Sequence, residues 1–264
     1  MSNKPYFSIL LSVYNGSAYI ESCLDAILNQ SFKDWELILI DDGSSDNLKE
    51  IISKNKYDDS RIKYFHKENS GLTQSLNFGI NKCKGLWIVR QDVDDISLPN
   101  RLQVLRDAIL ESECRFFYSQ ARVYDFKTNN VRITPRKAFQ HGFGLNVLRF
   151  GNYIAHGTIA IEAELIKEVK YNEKHKVAQD FGLYVELAKL GIKGHMIPIP
   201  LYELNKVPDS ISEKKLQLQL STVSEIIKET YSNDRYFILN KLFFKRMVLL
   251  FLREVTLLKC RLMR

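Results

Sequence analysis

The chain has 264 residues, 45% of them apolar and 26% charged, which excludes a disordered, collagen-like or polytopic membrane protein and allows a full core without staples. The formal net charge is +7, but the excess is local: residues 1–212 carry 27 basic and 26 acidic side chains, while residues 213–264 carry 11 and 5. A near-neutral body with a basic appendage lacks the broad basic face of a nucleic-acid-binding domain.

The predicted elements alternate from the start. Phe7–Val13 (FSILLSV) is a short apolar run, as expected of a parallel strand buried on both faces. Tyr14-Asn15-Gly16-Ser17 breaks it, and Ile20, Cys23, Leu24, Ile27 and Leu28 then recur at helical spacing. Glu36–Ile40 is the second strand and ends in Asp41-Asp42-Gly43-Ser44. A helix is predicted over Asn47–Ser53, a strand over Ile62–Phe65, and a helix through Leu72, Leu76, Ile80 and Cys83. Leu86–Val89 is the fourth strand, running into Gln91-Asp92-Val93-Asp94-Asp95. Pro99 then opens a helix carrying Leu102, Leu105 and Ile109. Phe116–Phe126 is β-rich, and Lys127–Phe150 has weak periodicity and reads as a mobile loop. His156–Ile161 reads as a strand, Gln179–Leu190 as a helix stopped by Gly191, and Gly194–Ile199 as a strand. From Ile211 onward the chain reads as helical.

Strands alternating with helices predict an α/β fold, a mostly parallel sheet flanked by helices. Ligands of such sheets sit outside the carboxyl ends of the strands. Three polar clusters fall there: SVYNG, DDGSSD and DVDD. Asp92, Asp94 and Asp95 are three carboxylates within four residues, which repel one another if buried unpaired. A hard divalent cation relieves that repulsion and completes its shell with phosphate and water oxygens; an acidic turn capping the helix after Pro99 is the plainer alternative. Asp41 and Asp42 exceed what a helix cap needs, and one of them is suited to a base N–H or a ribose hydroxyl. Tyr14, at a strand end, is placed to stack on a base or to enter the core. Neither GxGxxG nor GxxxxGK[ST] is present, so no glycine loop cradles phosphates. The four cysteines, Cys23, Cys83, Cys114 and Cys260, form no CxxC pair and read as reduced thiols.

The blocks SVYNGSAYIESCLDAILNQSFKDWELILIDDGSSD, ENSGLTQSLNFGINKCKGLWIVRQDVDDISLPNRL and AQDFGLYVELAKLGIK resemble the family 2 glycosyltransferases of GT-A fold, over about Phe7 to Leu204. The resemblance implies inverting transfer of a sugar from a nucleotide donor to an acceptor hydroxyl. On the matched positions, Ser12, Tyr14 and Asp42 would hold uracil and ribose. Asp94 would bind Mn2+ or Mg2+, and Asp92 would lie near the ribose or the metal. Asp95 and Arg101 would support that loop, Arg101 lying toward the acceptor or diphosphate side. Gly71, Leu72 and Asn77 match the donor-side helix start. Asp180 takes the place of the general base, although its spacing also suits a helix cap. His156 matches a histidine on the acceptor-side strand, where a structural hydrogen bond is the plainer role.

The chain departs from the family pattern where Gln179 stands for a frequent Glu, and where Tyr202-Glu203-Leu204-Asn205-Lys206 lacks the Arg and His that often follow the Tyr. Lys206 is the available substitute for a diphosphate contact. Residues 1–212 are expected to be the catalytic domain, with a nucleotide-sugar half to about 112 and an acceptor half from 113, and residues 213–264 a basic amphipathic tail. The stretch Tyr236–Arg264, with apolar Met247–Leu252 between basic residues, suits a helix lying in a membrane interface, or one packed on the catalytic domain or a second subunit. Phe7–Val13 is too short for a signal peptide and no run of about 18 apolar residues exists, so a cytoplasmic, peripheral location is expected. The resemblance is nearest to enzymes that build O-antigen or capsule repeat units by moving a hexose or N-acetylhexosamine from a UDP-sugar to a lipid-diphosphate-linked saccharide, where β-1,3-glucosyl and β-1,3-galactosyl transfer are common. A nucleotidyltransferase would need a basic, glycine-rich loop that Ser12–Ser17 does not supply. A non-catalytic scaffold of the same fold is the other alternative. The sequence leaves the oligomeric state open.

Overall fold

The computed structural model describes residues 4–126, 128–135, 143–206 and 215–232. Residues 1–223 form one compact unit and residues 224–264 a second, of which 224–232 are described.

Among the described residues, nine strands form one sheet: β1 (Phe7–Val13), β2 (Trp35–Asp41), β3 (Ile62–His66), β4 (Trp87–Gln91), β5 (Ile96–Ser97), β6 (Phe116–Asp125), β7 (Asn130–Thr134), β8 (Ala160–Glu162) and β9 (Gly194–Lys206). Their order is β3-β2-β1-β4-β8-β6-β9-β5, with β7 alongside β6. The β3-β2-β1-β4 block is parallel throughout, as is β6 with β9, while β8, β7 and β5 join antiparallel. The helices are α1 (Ser17–Leu28), α2 (Leu48–Ile52), α3 (Leu72–Ile80), α4 (Arg101–Leu110), α5 (Leu145–Leu148), α6 (Ala163–Val169), α7 (Gln179–Lys189) and α8 (Leu216–Thr230). This is the mixed α/β architecture that the strand–helix alternation predicts.

β1 and β2 lack alternation because helices cover both of their faces. Ile9, Leu11 and Val13 pack with Ile20, Cys23, Leu24 and Ile27 of α1 and with Leu102 and Leu105 of α4. Leu10 and Ile40 face α3, which approaches so closely that a Cβ on Gly79 would lie 2.4 Å from Leu10 Cδ1. Each such fully buried Leu or Ile contributes roughly 1.5–3 kcal/mol. In this register Val13 pairs with Asp41 and Leu11 with Gln91, so the three polar clusters emerge along one edge of the sheet.

Three local expectations need correction. Within the stretch expected to be a mobile loop, Asn130–Thr134 is strand β7 and Leu145–Leu148 is a helical turn. β7 is short and exposed, with Val131 and Ile133 open to solvent, so it lacks the continuous apolar run of the inner strands; its turn rests on Asn129, which adopts φ +52, and on the Thr128 N–H donating to Asp125. His156–Thr158 is a single 3-10 turn ahead of β8, closed by the Thr158 hydroxyl on the Ala155 carbonyl at 2.7 Å. β9 runs through Pro198 and Pro200 to Lys206 instead of stopping at Ile199. The prolines cannot donate to the ladder, and the register against β6 shifts at Gln120 to bypass them. No described helix is long and apolar enough to cross a membrane. The expected interfacial stretch Tyr236–Arg264 lies outside the described residues.

Candidate active site

The acidic turn is built from below by two buried arginines. Arg90 lies on β4, and its guanidinium donates to the Leu10 carbonyl at 3.2 Å and to Asp92 Oδ1 at 2.5 Å. Arg101, at the start of α4 and 1% exposed, donates to Gln91 Oε1, Ser97 Oγ and the carbonyls of Arg90 and Gly157, and stacks 4.8 Å above the Tyr202 ring. Burial lowers its pKa to about 10. Arg101 therefore sits beneath the turn as a support.

The turn is held from the side by β9. The Tyr202 hydroxyl accepts the Asp92 N–H at 2.9 Å and also bonds the Asp95 carboxylate. Asn205 donates its backbone N–H to Asp95 Oδ1 at 2.8 Å and its Nδ2 to the Asp94 carbonyl at 2.7 Å. These bonds force three carboxylates together. Burial and then the charge of Asp92 raise the Asp94 carboxyl to about 6. Burial, then Asp92 and Asp94, push Asp95 well above the usual carboxylate range.

At the end of β1, Ser12 is half-buried and Tyr14 is 48% exposed. Asp42 is 2% exposed; its carboxylate accepts from Lys67 Nζ at 2.5 Å, the Ser70 N–H at 2.9 Å and the Gly71 N–H at 2.8 Å. Burial alone would raise this carboxyl, but the Lys67 ammonium and these N–H groups outweigh it and hold the pKa low. Asp41 is likewise engaged, by the Tyr64 hydroxyl, His66 Nδ1 and the Ser44 N–H. Gly71, at φ +90, precedes α3. Asn77 is 8% exposed and bonded to the backbone of Tyr171.

On the far side, Asp180 lies in the first turn of α7. The cap position belongs to Ala178, at φ +52, so Asp180 is not the helix cap. Its Oδ2 accepts from Asn152 Nδ2 at 2.7 Å. Burial raises its pKa, the Phe181 N–H and Asn152 oppose this, and the charge of Asp92 adds to it. His156 Nε2 meets the Tyr171 hydroxyl at 2.7 Å, and burial followed by the Arg90 charge keeps the imidazole neutral. Lys206 Nζ lies 4.0 Å from Asp125 Oδ2 at the end of β9. The fold thus gathers Asp92, Asp94 and Asp95 in one turn, with the charge of Asp92 acting on Asp180 and Tyr171, and holds Asp42 and Asn77 in contacts of their own.

Sequence reasoning missed Arg90, Asn152, Tyr171 and Asn205. Arg90 had a signal: a lone charge inside the apolar run LWIVRQD, two residues before Asp92. The other three are joined to the site only by contacts distant in sequence.

The family model for glycosyl transferase family 2 matches residues 8–169. A putative glycosyltransferase, EpsE, from Bacillus subtilis is 30% identical over 223 residues, covering 81% of this chain and 78% of that protein. The chain spans 62% and 32% of the length of two further curated relatives. Among solved structures, S. aureus TarS 1-349 in complex with UDP-GlcNAc superposes with a TM-score of 0.70 at 19% identity, over 86% of this chain and 66% of that one. The mannosyltransferase PcManGT from Pyrobaculum calidifontis, in complex with GDP-Man and Mn2+, superposes with a TM-score of 0.66 at 16% identity, over 88% and 65%. At these identities the structures speak to the fold alone.

Proposed function

This chain belongs to glycosyltransferase family 2 and has the GT-A fold, and on that premise we propose that it moves a hexose or N-acetylhexosamine from a UDP-sugar to a lipid-diphosphate-linked saccharide in bacterial surface polysaccharide (O-antigen or capsule) synthesis, with inversion at C1. The observation that carries the reading is the acidic turn that Arg90, Tyr202 and Asn205 hold at the carboxyl edge of the sheet. Like charges held together by protein hydrogen bonds cost stability, and a site for a cation and a reacting hydroxyl accounts for that cost.

Asp180 is the general base: its carboxylate takes the proton of the acceptor hydroxyl as that oxygen bonds to C1 and the C1–O bond to UDP breaks on the opposite face. Its raised pKa brings its basicity closer to that task. Ser12, Tyr14, Asp42 and Gly71 shape the uridine side, with Tyr14 offering an exposed ring. His156 and Lys206 lie toward the acceptor or diphosphate.

Among the described residues no three His, Cys, Asp or Glu side chains converge as a self-sufficient metal site. Two carboxylates whose repulsion raises Asp94 nevertheless fit an ion that draws its other ligands from a diphosphate and water. Asp94 and Asp92 would hold Mn2+ or Mg2+, which when bound neutralises charge on the departing diphosphate. The neighbour solved with Mn2+ supports this choice.

A peripheral position on the cytoplasmic face of the membrane is supported by the basic tail sequence and by Leu216 and Leu220, both exposed and four residues apart on α8. The test is nucleoside diphosphate release from a panel of UDP-, GDP- and dTDP-sugars with manganese, with and without a lipid-diphosphate saccharide. Acceptor-dependent, chelator-sensitive release from one UDP-sugar is expected. UDP binding without turnover when the correct acceptor is present would overturn the catalytic reading.

A further inference from the structure

We propose that Asn77 and Thr73 are positioning residues for the base-bearing segment and make no contact with the donor; this rests on reading Asp180 as the general base. The two side chains stand one helical turn apart on α3 and face the chain that leads into α7. Asn77 uses both ends of its amide on one residue: Oδ1 accepts the Tyr171 N–H at 2.9 Å and Nδ2 donates to the Tyr171 carbonyl at 2.9 Å. The same Nδ2 reaches Glu173 Oε1 at 3.2 Å. Thr73 Oγ1 donates to the His175 carbonyl at 2.8 Å. Both residues are buried, at 8% and 5% exposure, so no water replaces these bonds cheaply.

Residues 171–175 are otherwise a non-helical strap with no strand ladder to hold it. Asp180 follows five residues after the Thr73 contact. The strap touches the helix it feeds: a Cβ on Gly182 of α7 would lie 2.9 Å from the His175 ring. Ala178 completes the entry in the left-handed region, a conformation that a non-glycine residue keeps only when its surroundings fix it. At the other end, α3 starts beside Gly71, whose N–H binds the Asp42 carboxylate. One short helix therefore carries the Gly71 contact at its start and, from Thr73 and Asn77 along its length, the bonds that fasten the strap leading to the base. Misplacing a reacting group by about 1 Å can cost on the order of 100-fold in rate.

The test combines three readouts on Asn77→Ala, Thr73→Val and Thr73→Ser in the full chain. Amide hydrogen exchange over residues 171–180 should accelerate about tenfold in Asn77→Ala and Thr73→Val, with β1 and β4 unchanged. The UDP dissociation constant should stay at the wild-type value while kcat falls about 10- to 100-fold. Thr73→Ser keeps the hydroxyl and should restore kcat. Loss of UDP affinity in step with kcat would make Asn77 a donor contact and overturn the proposal, as would unchanged exchange over 171–180. If the wild-type protein transfers no sugar with the correct acceptor present, the general-base reading fails on its own, and the exchange and UDP arms still decide the clamp. Should Asn77→Ala fail to fold, the Thr73 pair carries the same comparison.

Discussion

The Tyr202 hydroxyl accepts the backbone N–H of Asp92 across a sequence separation of 110 residues, at 2.9 Å. This single oxygen ties β9 to the end of β4 and, through its second bond, to the Asp95 carboxylate. Tyr202→Phe keeps the ring beneath Arg101 but strands a backbone donor. We expect a loss of about 1–3 kcal/mol, read from urea unfolding, together with reduced transfer activity. Unchanged stability would mean that the hydroxyl is dispensable to the turn.

Gly157 leaves the space that Tyr202 fills. A Cβ there would lie 2.3 Å from the ring, and the Gly157 carbonyl also accepts from Arg101. Gly157→Ala should cost about 1–3 kcal/mol by overpacking. In a chain of this size that corresponds to roughly 2–4 °C of Tm per kcal/mol, measurable by calorimetry.

Asp94 should trade stability for function. Its carboxyl titrates near 6, above the ordinary value, so the folded state is more stable with the group protonated, and this contribution is lost as pH rises through about 6. Asp94→Asn should therefore raise Tm at pH 7.5, and the gap should close at pH values below 6. Added Mn2+ should raise the Tm of the wild type and not that of the variant, and transfer should be abolished. A variant less stable than wild type at pH 7.5 would contradict the like-charge account.

The acid limb of the kcat profile should lie above the usual aspartate range, because burial raises Asp180 and a general base works only when deprotonated. Activity is then present above this pKa and lost below it. Asn152 donates to the ionised form, so Asn152→Ala should move the limb to higher pH. A limb that stays in place would separate Asn152 from the base.

Much of the fold was legible because burial on both faces writes a continuous apolar run. FSILLSV and ELILI could hardly be anything but inner parallel strands, and the polar residues that end them had to emerge at one edge. β7 was harder to read for the converse reason: it is five exposed residues whose apolar members are only Val131 and Ile133, and its pairing with β6 makes it a strand. The strand read over Gly194–Ile199 stops short because a proline at 200 lacks a ladder donor, whereas a register shift lets β9 continue past it.

The sequence by itself determined the α/β order and the acidic turn after β4, since each depends on neighbours within a few residues, while Asp180 entered as a candidate base through the resemblance of AQDFGLYVELAKLGIK. Tertiary structure alone decided which side chains surround those carboxylates. Arg90, Tyr202 and Asn205 hold the turn, and Asn77 joins Tyr171 across 94 residues. Such contacts leave no periodicity, because a hydrogen bond between distant segments is fixed only when the packed sheet brings both partners to the same place.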